Sequence, residues 1–185
     1  MQQAVYPRVR TGEWIETAMG EKFYPLDPDP DEINPWDIAH ALANICRWGG
    51  HCKTFYSVAQ HSLWVAKIVS PENRKWALLH DAAEAYLGDM VWPLKHYGDF
   101  AAEFRAAEKR LMAAICERFN LPVEMPEEVK TADLIMLVTE RRDLTANRHE
   151  WAREVPYALP RRVIPVRPNT ARNQYLAALA AAGVA

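Results

Sequence analysis

From Asn34 onward the apolar residues recur with the period of an α-helix. Ile38, Leu42 and Ile45 line one face of a first helix. Asn34 can cap it and Pro35 can open it, and Gly49 and Gly50 of "RWGG" stop it. Ser57 and Gln60 form a capping box for "SVAQHSLWVAKIV", whose core stripe is Val58, His61, Val65 and Ile68. Ser70 and Pro71 open the next helix, which carries "WALLHDAAEAYL" and closes at Gly88. "PLKHYGD" reads as a loop, with Asp99 as cap for a long helix through about Phe119. "NLPVEMP" interrupts, and Pro126, Glu127 and Glu128 start another helix with acids at its positive end. Residues 170–183 make a last, Ala-rich helix. No segment alternates as a strand, so the expected fold is all-α, a helical bundle of five or six main helices.

Prolines set the boundaries. "YPLDPDPDEINP" cannot be a helix interior, because each proline lacks a donor and clashes with the preceding turn. Residues 1–34 therefore read as an extended arm, with room for a short hairpin, that wraps the domain. "YALPRRVIPVRP" reads as a broken linker whose basic run, 161–168, packs or stays solvated. The organisation is one domain over 1–185: the arm, a helical core at 35–150, and a linker with a C-terminal helix at 151–185.

Charge and composition narrow the function classes. Lys and Arg number 22 and Asp and Glu 24, a formal charge of −2, so bulk charge attracts neither nucleic acid nor anionic membrane. The longest apolar run, "YLAALAAAGVA", falls short of the ~20 residues that span a bilayer. "MQQAVYPRVR" has no apolar segment of the kind a signal peptide carries. Three dispersed cysteines without a CxxC pair fit a reducing, cytoplasmic setting.

Against this pattern, some polar groups sit where core is expected. His61 lies in its helix's apolar stripe. His80 shares a face with Trp76, Ala83 and Leu87, and Glu84 is four residues after His80 and three after Asp81, so the three can converge. Asp133 belongs to the stripe Val129, Ala132, Met136 and Leu137. Taken singly, a core histidine is usually a hydrogen-bonded structural residue, and Asp133 could pair with Lys130 three residues back. Taken together, three helices turn imidazoles and carboxylates into the core, which suits a mixed N/O metal site with positions left for water.

These residues resemble a known family. His61, "HD" at 80–81 and Asp133 form the H…HD…D signature of HD-domain metal-dependent phosphohydrolases. "CRWGG…YSVAQHS…LLHDAAEAYLGDMVWPLK…KTADLIMLVTERRDL" is similar to bacterial 5′-deoxynucleotidases of the YfbR type, and more so to small phage deoxynucleoside triphosphohydrolases. The similarity runs from about Asp37 to Asp143. It implies an HD-domain bundle and a divalent metal (zinc, cobalt or manganese, with magnesium allowed at a second site) held by His61, His80, Asp81 and Asp133. It implies that Glu84 and Asp89 position or activate the attacking water. It makes Arg47 and Trp48 contacts to sugar, phosphate and base, Lys95 and Lys130 phosphate-facing, and Pro93 part of the pocket wall. It also implies a homo-oligomer, dimer or hexamer.

The implied activity is hydrolysis of a deoxynucleoside triphosphate, dATP first, to deoxynucleoside and triphosphate, through attack of a metal-bound water on the α-phosphorus. Removal of phosphate from a deoxynucleoside monophosphate is the alternative, and a non-catalytic nucleotide-sensing module the second. Membrane and stable nucleic-acid partners are not expected.

Overall fold

The computed structural model describes residues 10–151 and 154–184. The first nine residues of the arm and two of the linker lie outside it. Among the described residues the fold is all-α apart from one short hairpin, and no helix is long and apolar enough to cross a membrane.

The hairpin pairs β1 (Ile15–Glu16) with β2 (Lys22–Phe23), antiparallel, Ile15 opposite Phe23. It ties the arm to the bundle. Phe23 is fully buried and stacks on Tyr86, ring centroids 3.9 Å apart. The backbone N–H of Met19 donates to Asp37 Oδ1 at 2.9 Å. Residues 15–23 of the arm thus pack against the bundle.

Five helices of ten residues or more build the bundle: α1 (Pro35–Asn44), α2 (Val58–Ile68), α6 (Ala101–Arg118), α7 (Glu127–Leu144) and α8 (Pro168–Ala181). Shorter ones lie between them: α3 (Arg74–Leu79), α4 (Glu84–Leu87) and α5 (Trp92–Tyr97). Asn34 caps α1 through its side chain to Trp36 N–H, with Pro35 in the first turn. α1 packs on α8 and α2, and α2 packs on α3, α7 and α8, so α2 is central. Tyr175 of α8 is fully buried and donates its hydroxyl to the Leu78 carbonyl.

Several expectations need correction. The first helix ends at Asn44, not at the glycines; Cys46 instead pairs with Ser57 in an isolated antiparallel bridge. Only half the capping box forms. Ser57 accepts from Gln60 N–H at 3.2 Å, but the Gln60 side chain turns to the linker. There it donates to the Ile164 carbonyl at 2.7 Å and accepts from Val166 N–H at 2.9 Å. Thr139 and Asp143 of α7 accept from Leu159 and Val163 N–H in the same way. A proline-broken segment has no ladder of its own, so helix side chains satisfy it. "PLKHYGD" is largely helical: Pro93 falls in the first turn of α5, where a missing donor is harmless. Asp99 is not the cap of α6, whose cap position is Phe100 without a side-chain bond. The helix expected over residues 71–88 breaks into α3 and α4 around His80 and Asp81.

The arm's attachment is testable. Phe23→Ala should remove about 3–5 kcal/mol of stability, the usual range for a fully buried Phe. Urea unfolding measures it; a loss under 1 kcal/mol would show that the hairpin is not part of the cooperative unit.

Candidate metal centre

The helical period carries His61 into the core, between the fully buried Val58 and Val65 of α2. Its Nδ1 stands 2.6 Å from Oε1 of Glu140 on α7. The Tyr56 hydroxyl donates to the same oxygen at 3.0 Å, and Arg47 Nε donates to the other, Oε2, at 3.0 Å. Glu140 is fully buried. Burial raises its pKa, but Arg47 and His61 outweigh burial and hold it below the usual carboxylate range.

His80 sits where α3 ends. Its Nδ1 donates to the Ala77 carbonyl at 2.8 Å, taking an oxygen that a continuing helix would offer to the Asp81 N–H. The backbone then tightens into i→i+3 bonds: Ala82 N–H to the Leu79 carbonyl at 2.9 Å and Glu84 N–H to the Asp81 carbonyl at 3.0 Å. This turn aims His80 and Asp81 together at His61.

With both Nδ1 atoms engaged as donors, the neutral imidazoles present their Nε2 lone pairs. The two Nε2 atoms are 3.2 Å apart. Asp81 Oδ2 lies 3.2 Å from His80 Nε2 and 3.6 Å from His61 Nε2. Asp133 Oδ1 lies 3.1 Å from His61 Nε2 and 4.0 Å from His80 Nε2. The ligand atoms of His61, His80 and Asp81 all lie within 4.8 Å of one another, and Asp133 approaches from the His61 side. Ligand atoms ~2.0–2.2 Å from a shared ion stand roughly 3–3.6 Å from one another, so the spacing suits a metal. His61, His80 and Asp81 make a candidate metal site, with Asp133 beside it. Burial and Arg47 lower the pKa of His61, yet Glu140 and Asp133 outweigh both and push it up to about 9. The cluster calls for positive charge, which a proton or a metal ion can supply.

Glu84 opens α4 beside this cluster. It is buried, and its Oε2 has no hydrogen-bond partner. Burial first, then Asp81 and Asp89, push its pKa well above the carboxylate range, against Arg47 and Lys95. Asp89 is half-buried, and burial and Asp81 raise its pKa over the opposition of Arg47.

The remaining expected residues divide. Arg47 is buried, and its second bond reaches Asp81, NH1 to Oδ2 at 3.5 Å. Trp48 adopts φ +60°, a left-handed conformation rare outside glycine, and its indole N–H is buried without a partner. A Cβ on Gly49 would stand 3.3 Å from Val91 Cγ1, so Val91, rather than Pro93, meets this turn. Pro93 is exposed on α5. Lys95 is ion-paired with Glu108 of α6. Lys130 is exposed and pairs with Glu127 at 3.0 Å, not with Asp133. Sequence reasoning missed Glu140 and Tyr56. The signal for Glu140 is its place seven residues after Asp133, two turns on along the same helix face.

Fold and site define an all-α protein with a buried His/Asp cluster suited to a divalent ion. No family model matches the chain. The chain is 39% identical over 166 residues to the uncharacterized protein YfdR of Escherichia coli, covering 88% of this chain and 92% of that protein. It is also 39% identical over 128 residues to an uncharacterized protein of Rhodobacter capsulatus, 64% of each chain. The chain belongs to the family of YfdR.

Glu140→Ala should strand a guanidinium, a phenol and an imidazole N–H at once. Breaking such a buried pair costs about 3–5 kcal/mol. Loss of the group that orients a metal-binding histidine weakens metal affinity ~10–100-fold. Denaturation and competition with a chelator measure the two effects; unchanged metal affinity would remove Glu140 from the centre.

Proposed function

We propose that the protein is a metal-dependent phosphohydrolase of the HD type acting on deoxynucleotides, with dATP as first substrate and deoxyadenosine and triphosphate as products. The observation that carries this reading is the close approach of His61, His80 and Asp81, with Asp133 against His61, beside a buried carboxylate oxygen, Glu84 Oε2, that has no partner. His61, His80, Asp81 and Asp133 would hold the ion. A bound divalent ion lowers the pKa of a coordinated water and polarises a phosphoryl oxygen. The other roles belong to the chain. Glu84, whose Oε2 has no partner, takes the proton of the attacking water. Asp89 shares the field that keeps Glu84 basic. Arg47 stabilises charge as it develops on the phosphate, and the face of Trp48 accepts the base. The free Glu84 carboxyl argues against a purely sensing module, which has no use for a buried base.

One observation favours the monophosphate as substrate. Each cation assigned to the phosphates already has a carboxylate: Arg47 has Glu140 and Asp81, Lys95 has Glu108, and Lys130 has Glu127. A panel of deoxynucleotides with separate detection of phosphate and triphosphate decides. Intact triphosphate from dATP supports the first reading; faster turnover of dAMP than of dATP replaces it with the monophosphatase. No metal-dependent turnover of either class overturns both.

Two variants separate binding from chemistry. His80→Ala and Asp81→Ala should lose metal and activity together, and a chelator should lower the melting temperature of the wild type, because an ion bound only to the folded form stabilises it. Elemental analysis checks this; full occupancy in both variants would sink the ligand assignment. Glu84→Gln should keep its metal while the rate falls ~10²–10⁴-fold, the usual contribution of a positioned base. An active Glu84→Gln protein moves that role to Asp89.

A further inference from the structure

Cys46 and Cys52 flank the turn that carries Arg47 and Trp48. Far from being dispersed, the two stand close: Cys52 Sγ donates to the carbonyl of Arg47, the residue after Cys46, at 3.5 Å, and after burial it is Cys46 that most raises the Cys52 pKa. The backbone explains the approach. Cys46 is fixed to Ser57 by the isolated bridge, and Arg47 N–H donates to the Tyr56 carbonyl at 2.9 Å. Beyond them the chain doubles back. Gly50 N–H reaches the Arg47 carbonyl at 3.2 Å, His51 N–H reaches the Trp48 carbonyl at 3.0 Å, and Trp48, Gly49 and Gly50 all take positive φ. Both cysteines are half-buried, within reach of a small oxidant, whereas Cys116 is buried in α6. Neither thiol has a part in the metal centre.

We propose that Cys46 and Cys52 form a reversible disulfide across the turn of Arg47 and Trp48, a covalent switch at the edge of the centre. The oxidant is a peroxide. The Cys46 sulfur attacks one peroxide oxygen, the O–O bond breaks, and a sulfenic acid and one water form once the thiol proton is transferred. The Cys52 sulfur then attacks the sulfenic sulfur. The S–S bond forms, the S–O bond breaks, and a second water leaves with the Cys52 proton. Two thiols lose two electrons to the peroxide, and a dithiol reductant returns them. Burial pushes the Cys52 thiol up to about 12, so it must give up its proton as it attacks, which makes the second step the slow one. The bond draws the sulfurs inside hydrogen-bonding distance and removes the Cys52 S–H from the Arg47 carbonyl. The turn that places Arg47 against Asp81 and Glu140 must then shift.

The test does not require the hydrolase reading. The full chain is treated with hydrogen peroxide, unfolded and titrated for thiols. The three thiols should fall to one, and dithiothreitol should restore them. Peptide mapping without reduction should find Cys46 joined to Cys52, and Cys46→Ser should remove that peptide. Three persisting thiols, a link to Cys116, or sulfinic acid without a cross-link overturns the disulfide, whether or not the protein turns over nucleotides. In protein that is active, cross-linking should lower turnover and dithiothreitol should recover it; unchanged turnover of the cross-linked form overturns the switch.

Discussion

Two imidazoles and the Asp81 carboxylate drawn together inside a helical bundle, with Asp133 against His61, are the constraint on which the rest depends. Lone pairs at such separations repel, and buried charge without a partner is costly. The fold holds the two imidazoles because each is tied down from behind. Glu140 takes the Nδ1 of His61, and the Ala77 carbonyl takes the Nδ1 of His80. Those two bonds choose the tautomers, and the tautomers expose both Nε2 atoms to the same point. Without Glu140, His61 could turn its proton toward the centre and the acceptor set would be incomplete. The deepest carboxylate in the molecule therefore matters because it decides which way an imidazole faces.

The same constraint explains the local irregularities of the fold. A straight helix through residues 71–88 would place His80 and Asp81 on different faces, about 100° apart. The tight turn at the end of α3 brings both toward His61. Arg47 comes from a turn with a left-handed tryptophan and two glycines, and no regular helix would carry its guanidinium to both Asp81 and Glu140. Regular structure is given up where the charges must meet, as is expected where a site rather than the core sets the geometry.

How much could be read from the sequence follows from what kind of information each feature carries. The bundle was legible because apolar spacing is a local signal, and His61, His80, Asp81 and Asp133 stood out as polar residues on apolar stripes. The break at His80 was not legible. Every residue from Trp76 to Leu87 tolerates a helix, and the competing acceptor is a side-chain nitrogen whose aim depends on tertiary contacts. α5 was hidden because Pro93 and Gly98 read as breakers, although proline suits a first turn. Glu140 was masked by the charges around it in "TERRDL", where nothing local tells a buried carboxylate from a solvated one. The fold-back that brings Cys52 Sγ to the Arg47 carbonyl runs through positive φ at Trp48, which no residue rule assigns to tryptophan.

The charge arrangement also bears on the question the fold leaves for chemistry. A triphosphate brings more negative charge than a monophosphate, and binding it calls for cations free to move toward it. Arg47 cannot leave Glu140 without stranding a fully buried carboxylate, so its guanidinium serves as a fixed positive field. Lys95 is different. It is only partly buried, and its partner Glu108 lies on α6, away from the cluster. Burial lowers the pKa of Lys95, but Glu108 and then Glu84 and Asp81 outweigh it, which places the ammonium within the field of the centre. Exchanging Glu108 for a phosphate is a swap of one partly buried anion for another. Lys130 is more exposed still and its pair with Glu127 is of the weak surface kind. A longer phosphate chain would therefore be met by a rigid Arg47 and by lysines that trade partners. A monophosphate needs only the first.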